Sequence, residues 1–117
     1  MNFIKDLQSA AQALQKSGEI HCGEYIPLNQ IKDHLRDKEY WAVYGEGLIG
    51  AAYYNGDFFH IGMIEKGLGA KVIKQLTANR RTWAAIENND TRTLKLVKHI
   101  GFEFVNCDNK YTYMVKQ

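Results

Sequence analysis

The sequence predicts an α/β domain built on one mixed, mostly antiparallel sheet with flanking helices, and three observations predict it. Apolar residues recur at three- and four-residue steps as far as Arg36, then change from Tyr40 onward to short runs rich in aromatic and β-branched residues. Between two of those runs stands Asn55-Gly56, a pair that accepts the positive dihedrals of a tight hairpin turn. A strand, a helix and a strand then follow between Asp57 and Glu87, which implies one parallel crossover.

In chain order, Phe3, Leu7, Ala10, Ala11 and Leu14 share one helical face, so a first helix is predicted over Phe3 to Lys16, stopped at Gly18 with no strand ahead of it. Glu19 to Ile26 reads as either a short strand or an ordered loop ending at Pro27. Leu28, Ile31, His34 and Leu35 mark a second helix to Arg36, with Pro27 tolerated at its first turn. An antiparallel meander is expected next: Tyr40 to Tyr44, Leu48 to Tyr54 and Asp57 to Ile64, separated by Gly45-Glu46-Gly47 and Asn55-Gly56. Ala70, Val72, Ile73 and Leu76 give a helix to about Asn79, and Thr82 to Glu87 gives a strand. A helix is predicted from Asp90 to Ile100, with Leu94, Val97 and Ile100 on one face, stopped by Gly101. Strands Phe102 to Asn106 and Tyr111 to Lys116 turn around Asp108-Asn109.

With 117 residues, 45% of them hydrophobic, the chain is expected to form a single domain over 1–117 with a core of its own. Fifteen Lys and Arg against thirteen Asp and Glu are too balanced for wholesale binding to a nucleic-acid backbone. No run approaches the ~20 apolar residues of a membrane span, and Met1 to Asp6 opens without a long apolar segment, so a cytoplasmic protein with no membrane contact is expected. Cys22 and Cys107 form no C-x-x-C motif, so neither a metal site nor a disulfide framework is expected, and both read as reduced, partly buried thiols.

Chemistry concentrates in Ile61-Gly62-Met63-Ile64-Glu65-Lys66-Gly67-Leu68-Gly69-Ala70-Lys71, a strand running through a glycine pair into a helix. Glycines let a ligand approach the main chain, and the free N–H groups at a helix start suit phosphate or pyrophosphate. Lys66 and Lys71 add positive charge there and Glu65 opposes it. The chain has no G-x-x-x-x-G-K-[ST], and its glycine turn follows a meander instead of the first strand of a repeated parallel unit. Both observations argue against a nucleoside triphosphatase or a dinucleotide fold.

Taken with the order of elements, two stretches resemble the GNAT (Gcn5-related) acyl-CoA N-acyltransferase family. Lys66-Gly67-Leu68-Gly69-Ala70 is similar to the end of its [Q/R]-x-x-G-x-[G/A] loop, and Asn88-Asn89-Asp90 through Leu96 to His99-Ile100-Gly101-Phe102-Glu103 is similar to its N-x-x-A-x-x-L-Y-x-x-x-G-F ending. The resemblance spans roughly Tyr40 to Lys116. It implies a GNAT-like fold with a V-shaped opening between the family's fourth and fifth strands, acetyl-CoA as donor, and direct transfer of acetyl to an amine. The main chain of Ile61, Gly62 and Met63 would then pair with pantetheine. The N–H groups of Lys66, Gly67, Leu68, Gly69 and Ala70 would hold the pyrophosphate, with Lys71, Asn88 and Arg92 close by and Arg92 toward the 3′-phosphate. Gly62 reads either as a bulge that opens the strand or as a packing glycine under an aromatic ring.

The chain also departs from the family's pattern. Val97 takes the position of the tyrosine that often protonates the leaving thiolate, Ile64 that of the loop's Gln or Arg, and Asp90 that of the asparagine, with Asn88 and Asn89 nearby as substitutes. The family's first strand is either Glu19 to Ile26 or missing. Acyl transfer needs a base for the amine and usually an acid for the thiolate. Glu65, His60 and Glu87 are the base candidates, each with a solvated-surface alternative. Tyr53 and Tyr54 point to opposite faces of one strand, so one of them reaches the opening, and Tyr54 is taken as the replacement acid. His99 fits a capping role at its helix end. Small amine, peptide N-terminus, lysine and modified nucleobase all stay open as acceptors, and dimers common in the family leave a homodimer open. The alternative function is a trimmed, non-catalytic scaffold, of a viral or accessory kind, that binds CoA or a protein partner.

Overall fold

The structure is a computed structural model that describes residues 1–21 and 23–117, and of residues 19–21 the backbone alone. Cys22, read above as a reduced thiol, lies outside the described residues. Seven strands and four helices are present among the described residues, distributed over two compact units.

The first unit comprises Met1–Gly56 and His60–Leu68. It holds β1 (Asn2–Ile4), α1 (Leu7–His21), α2 (Leu28–Leu35), β2 (Glu39–Tyr44), β3 (Leu48–Asn55) and β4 (Phe58–Met63) from its third residue on. These strands run in the order β1-β2-β3-β4. β1 pairs antiparallel with β2 through Phe3↔Val43, and β2 with β3 through Trp41↔Ala52. Two helices cover the sheet, and Ala10, Ala11 and Ala13 of α1 join Ile31, Leu35, Ala42 and Ala51 in its core. Alanines along the buried stripe bring the α1 backbone close to the strands, and Tyr44 donates from its hydroxyl to Ser9 Oγ at 2.7 Å.

A strand at Asn2–Ile4 corrects the expectation that none precedes the first helix. Phe3 shares helical spacing with Leu7 but is held by its β2 partner Val43, and Asp6 sets the true helix start. Asp6 Oδ1 accepts from Ser9 N–H at 3.2 Å and its Oδ2 from Ser9 Oγ at 2.9 Å, which together hold the Asp6 carboxyl below the usual carboxylate range. Asp6→Ala is expected to lower the thermal midpoint by about 5 °C, measured by circular dichroism, with Asp6→Asn recovering most of the loss. Gly18 does not stop α1, which continues to His21.

The second unit comprises Asp57–Phe59 and Gly69–Gln117. It contains α3 (Gly69–Leu76), β5 (Thr82–Glu87), α4 (Thr91–Ile100), β6 (Glu103–Cys107) and β7 (Tyr111–Lys116). β7 lies between β5 and β6, antiparallel to both. The start of β4 pairs in parallel with β5 at Phe58↔Trp83, and Trp83 N–H donates to Asp57 O at 2.8 Å, which completes the expected parallel crossover through α3. Val72, Ile73, Val97, Phe102, Met114 and Val115 are buried. Asp90 caps α4 by accepting from Thr93 N–H at 3.1 Å, and Gly101, at φ 120°, closes it with its N–H on Val97 O and Lys98 O. Cys107 is exposed, which corrects the partly buried thiol expected from sequence, because β6 is an edge strand exposed along its whole length. Among the described residues no helix is long and apolar enough to cross a membrane.

Candidate active site

A cavity of about 420 Å³ opens within the first unit, walled by Leu14, Ser17 and Gly18 of α1, Tyr53 of β3, and His60, Ile61, Gly62 and Met63 of β4. Its shape follows from two strand glycines. A Cβ on Gly62 would collide with Ser17 Oγ and come 3.0 Å from Leu14 Cδ2, and one on Gly50 would stand 2.6 Å from Met63 Sδ and 2.8 Å from Gly62 O. Only glycine at these positions lets α1 settle directly on β4 while β4 lies against β3. Gly62 is therefore a packing glycine, and what lies over it is Ser17 and Leu14, not an aromatic ring. Ser17 Oγ donates to Leu14 O at 3.1 Å, so its hydroxyl is satisfied within the helix.

Two rings on the wall stack on each other, and a third meets one of them. Tyr53 and His60 stack with centroids 4.7 Å apart and planes 13° apart, and His34 meets Tyr53 edge-on at 5.5 Å. Removal from water, and secondarily the charge of His34, holds the His60 imidazolium below its usual pKa, which favours the neutral ring. Burial pushes the Tyr53 phenol up, so it keeps its proton. This pair combines a neutral base with a protonated hydroxyl.

Of the residues singled out by sequence, His60, Ile61, Gly62 and Met63 come together on the cavity wall. Tyr54 does not. It is 2% exposed on the opposite face of β3, edge-on to Trp41 at 6.1 Å, and Tyr53 occupies the cavity in its place. Alternation alone leaves the choice between the two open; parity with Ala51, which packs in the core beneath α1, decides it. Glu65 is exposed beyond the end of β4, with its N–H on Ile49 O at 3.3 Å, and does not line the cavity. Sequence reasoning misses Leu14, Ser17 and Gly18 as wall residues, because a helical period marks the buried face of a helix but not the strand it meets.

From β4 the chain passes through Lys66 and Gly67, both exposed, with Gly67 at φ 88°. Leu68 leads into α3, which opens on Gly69, Ala70 and Lys71 with no acidic residue in its first turn. In the second unit, Asn88 has both ends of its side chain engaged: Nδ2 donates to Asp108 O at 2.8 Å, and Oδ1 accepts from Thr112 Oγ1 at 2.7 Å. These bonds tie the end of β5 to the β6–β7 turn. Asn88→Ala is therefore expected to cost about 1–2 kcal/mol in chemical denaturation while leaving affinity for acetyl-CoA within a factor of about two. Arg92 is exposed in the first turn of α4. Val97, in the tyrosine's position, is 4% exposed. Tyr113 donates from its hydroxyl to Asp108 Oδ2 at 2.8 Å.

No protein-family model and no curated protein matches the chain. Solved structures do. An acetyltransferase from Thermus thermophilus superposes with a TM-score of 0.77 at 14% identity, over 98% of this chain and 95% of that one. A Salmonella typhimurium acetyltransferase with its cofactor acetyl-CoA gives 0.71 at 16% identity, over 100% and 94%. The spermidine N-acetyltransferase SpeG of Vibrio cholerae, as an F149A mutant, gives 0.75 at 10% identity, over 98% and 92%. A further similar structure is described as a GnaT-family acetyltransferase from Bordetella pertussis, with a TM-score of 0.70 at 11% identity and full coverage of both chains. These likenesses bear out the fold that the sequence resemblance implied.

Proposed function

We propose that this chain, whose fold is that of the GNAT acyltransferases, binds acetyl-CoA along Ile61–Lys71 and transfers the acetyl group to an amine held in the cavity of the first unit. One observation carries the reading: Ile61, Gly62 and Met63 wall a cavity that also holds a stacked histidine and tyrosine, and the same strand continues through a left-handed glycine into a helix start free of carboxylates. Lys66, Gly67, Leu68, Gly69 and Ala70 are assigned to the pyrophosphate through their N–H groups, Lys71 to its charge, and Arg92 to the 3′-phosphate.

In the reaction the amine attacks the thioester carbonyl. A C–N bond forms, the C–S bond breaks, one proton of the neutral amine passes to His60, the thiolate leaves with a proton from Tyr53, and exchange with solvent returns the His60 imidazolium and the Tyr53 phenolate to their neutral forms. Positioning and main-chain polarisation of the carbonyl by β4 supply most of the acceleration, with general acid–base transfer adding about 10²–10⁴-fold. Tyr53 fills the donor role that Val97 cannot. The similar structures include spermidine N-acetyltransferases, which supports an amine as the acceptor.

The test is release of free thiol from acetyl-CoA against a panel of amines, with calorimetry for CoA itself. Release with at least one amine is expected, and CoA binding with no release for any acceptor would instead establish the scaffold reading that Val97 favours. The rate is also expected to depend on pH through His60. A protonated imidazole cannot accept, and a lowered pKa keeps the ring neutral further into the acid range. Thiol release should therefore rise along a limb with its midpoint below 6.5, and His60→Gln should abolish that limb. Among the described residues, the titratable groups facing His60 are His34 of α2 and Tyr53 of β3.

A further inference from the structure

We infer that the acceptor for this cavity is a singly charged primary amine with an apolar alkyl or aryl body, not a polyamine; the inference rests on the proposed function and narrows its substrate class. A chain of two or more ammonium groups must exchange its hydration for carboxylates or several well-placed acceptors. The described lining residues supply no carboxylate. Among the cavity's described lining residues there is no Asp or Glu: Leu14, Ile61 and Met63 present hydrocarbon and thioether, Gly18 and Gly62 present backbone, and Ser17 Oγ, which donates to Leu14 O, can accept only as a neutral hydroxyl. The remaining polar groups are Tyr53 and His60, whose rings are stacked on each other.

That arrangement suits a different ligand. A volume of about 420 Å³ falls in the range of pockets that bury a small organic molecule, and an apolar body gains by leaving water for this lining. One amine nitrogen needs one base, and His60 is the single histidine on the wall among the described residues. Upon transfer the ammonium's extra proton has gone to solvent, the nitrogen becomes an uncharged acetamide and CoA leaves as the thiol, and proton exchange with solvent returns His60 and Tyr53 on the wall to their neutral forms.

Gly18 offers a direct handle. It lines the cavity from α1, no atom lies within 4 Å of where its Cβ would be, and its backbone is outside the left-handed region. Gly18→Leu replaces a poor helix former with a good one and places an isobutyl group in or beside the cavity, so it should fold at least as stably as the parent.

The experiment measures thiol release from acetyl-CoA with hexylamine, phenethylamine and spermidine, alongside calorimetric titration of each amine without cofactor. Values of kcat/KM for hexylamine and phenethylamine should exceed that for spermidine by about tenfold or more. Gly18→Leu should raise KM for hexylamine by about tenfold and leave the dissociation constant of acetyl-CoA unchanged. Faster turnover of spermidine in the parent protein would overturn the inference and leave the proposed function standing. Hexylamine binding that Gly18→Leu abolishes, without thiol release for any amine, would support the cavity's preference and overturn the proposed transfer. Absence of both binding and turnover for the two apolar amines overturns the inference outright, whatever the variant does.

Discussion

Gly62→Val lowers the thermal midpoint by roughly 10 °C or more, whereas Gly47→Ala shifts it by no more than a few degrees. The contrast follows from what each new side chain meets. At Gly62 even a Cβ collides with Ser17 Oγ and sits 3.0 Å from Leu14 Cδ2, and neither neighbour can step aside, because both belong to a helix whose Ala10, Ala11 and Ala13 are fully buried. The helix must lift from the sheet, and the core of Leu35, Ala42 and Ala51 opens with it. Overpacking of that kind costs about 1–3 kcal/mol, occasionally more, and two γ-methyl groups add to the clash. Gly47 lies in the β2–β3 turn, with nothing within 4 Å of the added carbon. A midpoint for Gly62→Val close to that of Gly47→Ala would show that α1 does not rest on β4 as described, and with it would go the wall that gives the cavity its shape.

The same helix marks where the sequence could be read and where it could not. β5 and β7 match their expected bounds at Thr82–Glu87 and Tyr111–Lys116, because β-branched and aromatic runs bounded by turn residues carry their own signal. β1 is three residues long, too short to show a period of two, and its stability comes from Val43 and its neighbours, distant in sequence. Gly18 reads as a stop because glycine disfavours helix by about 1 kcal/mol. The burial of α1 against β2, β3 and α2 outweighs that. Within the cavity wall, His60 and Ile61–Met63 were legible because they stand on one strand directly ahead of the glycine loop. Leu14, Ser17 and Gly18 were not, since only tertiary packing brings a residue of α1 next to one of β4. Asn88 shows the converse: it reads as a substitute for the motif's asparagine, whose position Asp90 takes, yet its side chain ties the end of β5 to the β6–β7 turn.

Changes at Gly67 and Gly69 separate backbone strain from ligand contact and carry the largest expected effect on binding. Gly67→Val and Gly69→Val are each expected to weaken acetyl-CoA binding about a hundredfold, near 2.7 kcal/mol, by calorimetry. Gly67 has φ 88°, a conformation costly for a β-branched residue, so part of the loss at that position is strain of about 1–3 kcal/mol. Gly67→Asn removes that ambiguity. Asparagine tolerates the left-handed region, and no atom lies within 4 Å of the added Cβ, so the unliganded protein should keep its midpoint within a few degrees. If the pyrophosphate lies against these N–H groups, the side chain stands where a phosphate oxygen must come, and affinity falls about tenfold with the fold intact. Full affinity in a folded Gly67→Asn, together with full affinity in a folded Gly69→Val, would remove the loop from the carrier site. The glycines would then serve only the turn from β4 into α3, and Arg92 and Lys71 would lose the anion that assigns them a role.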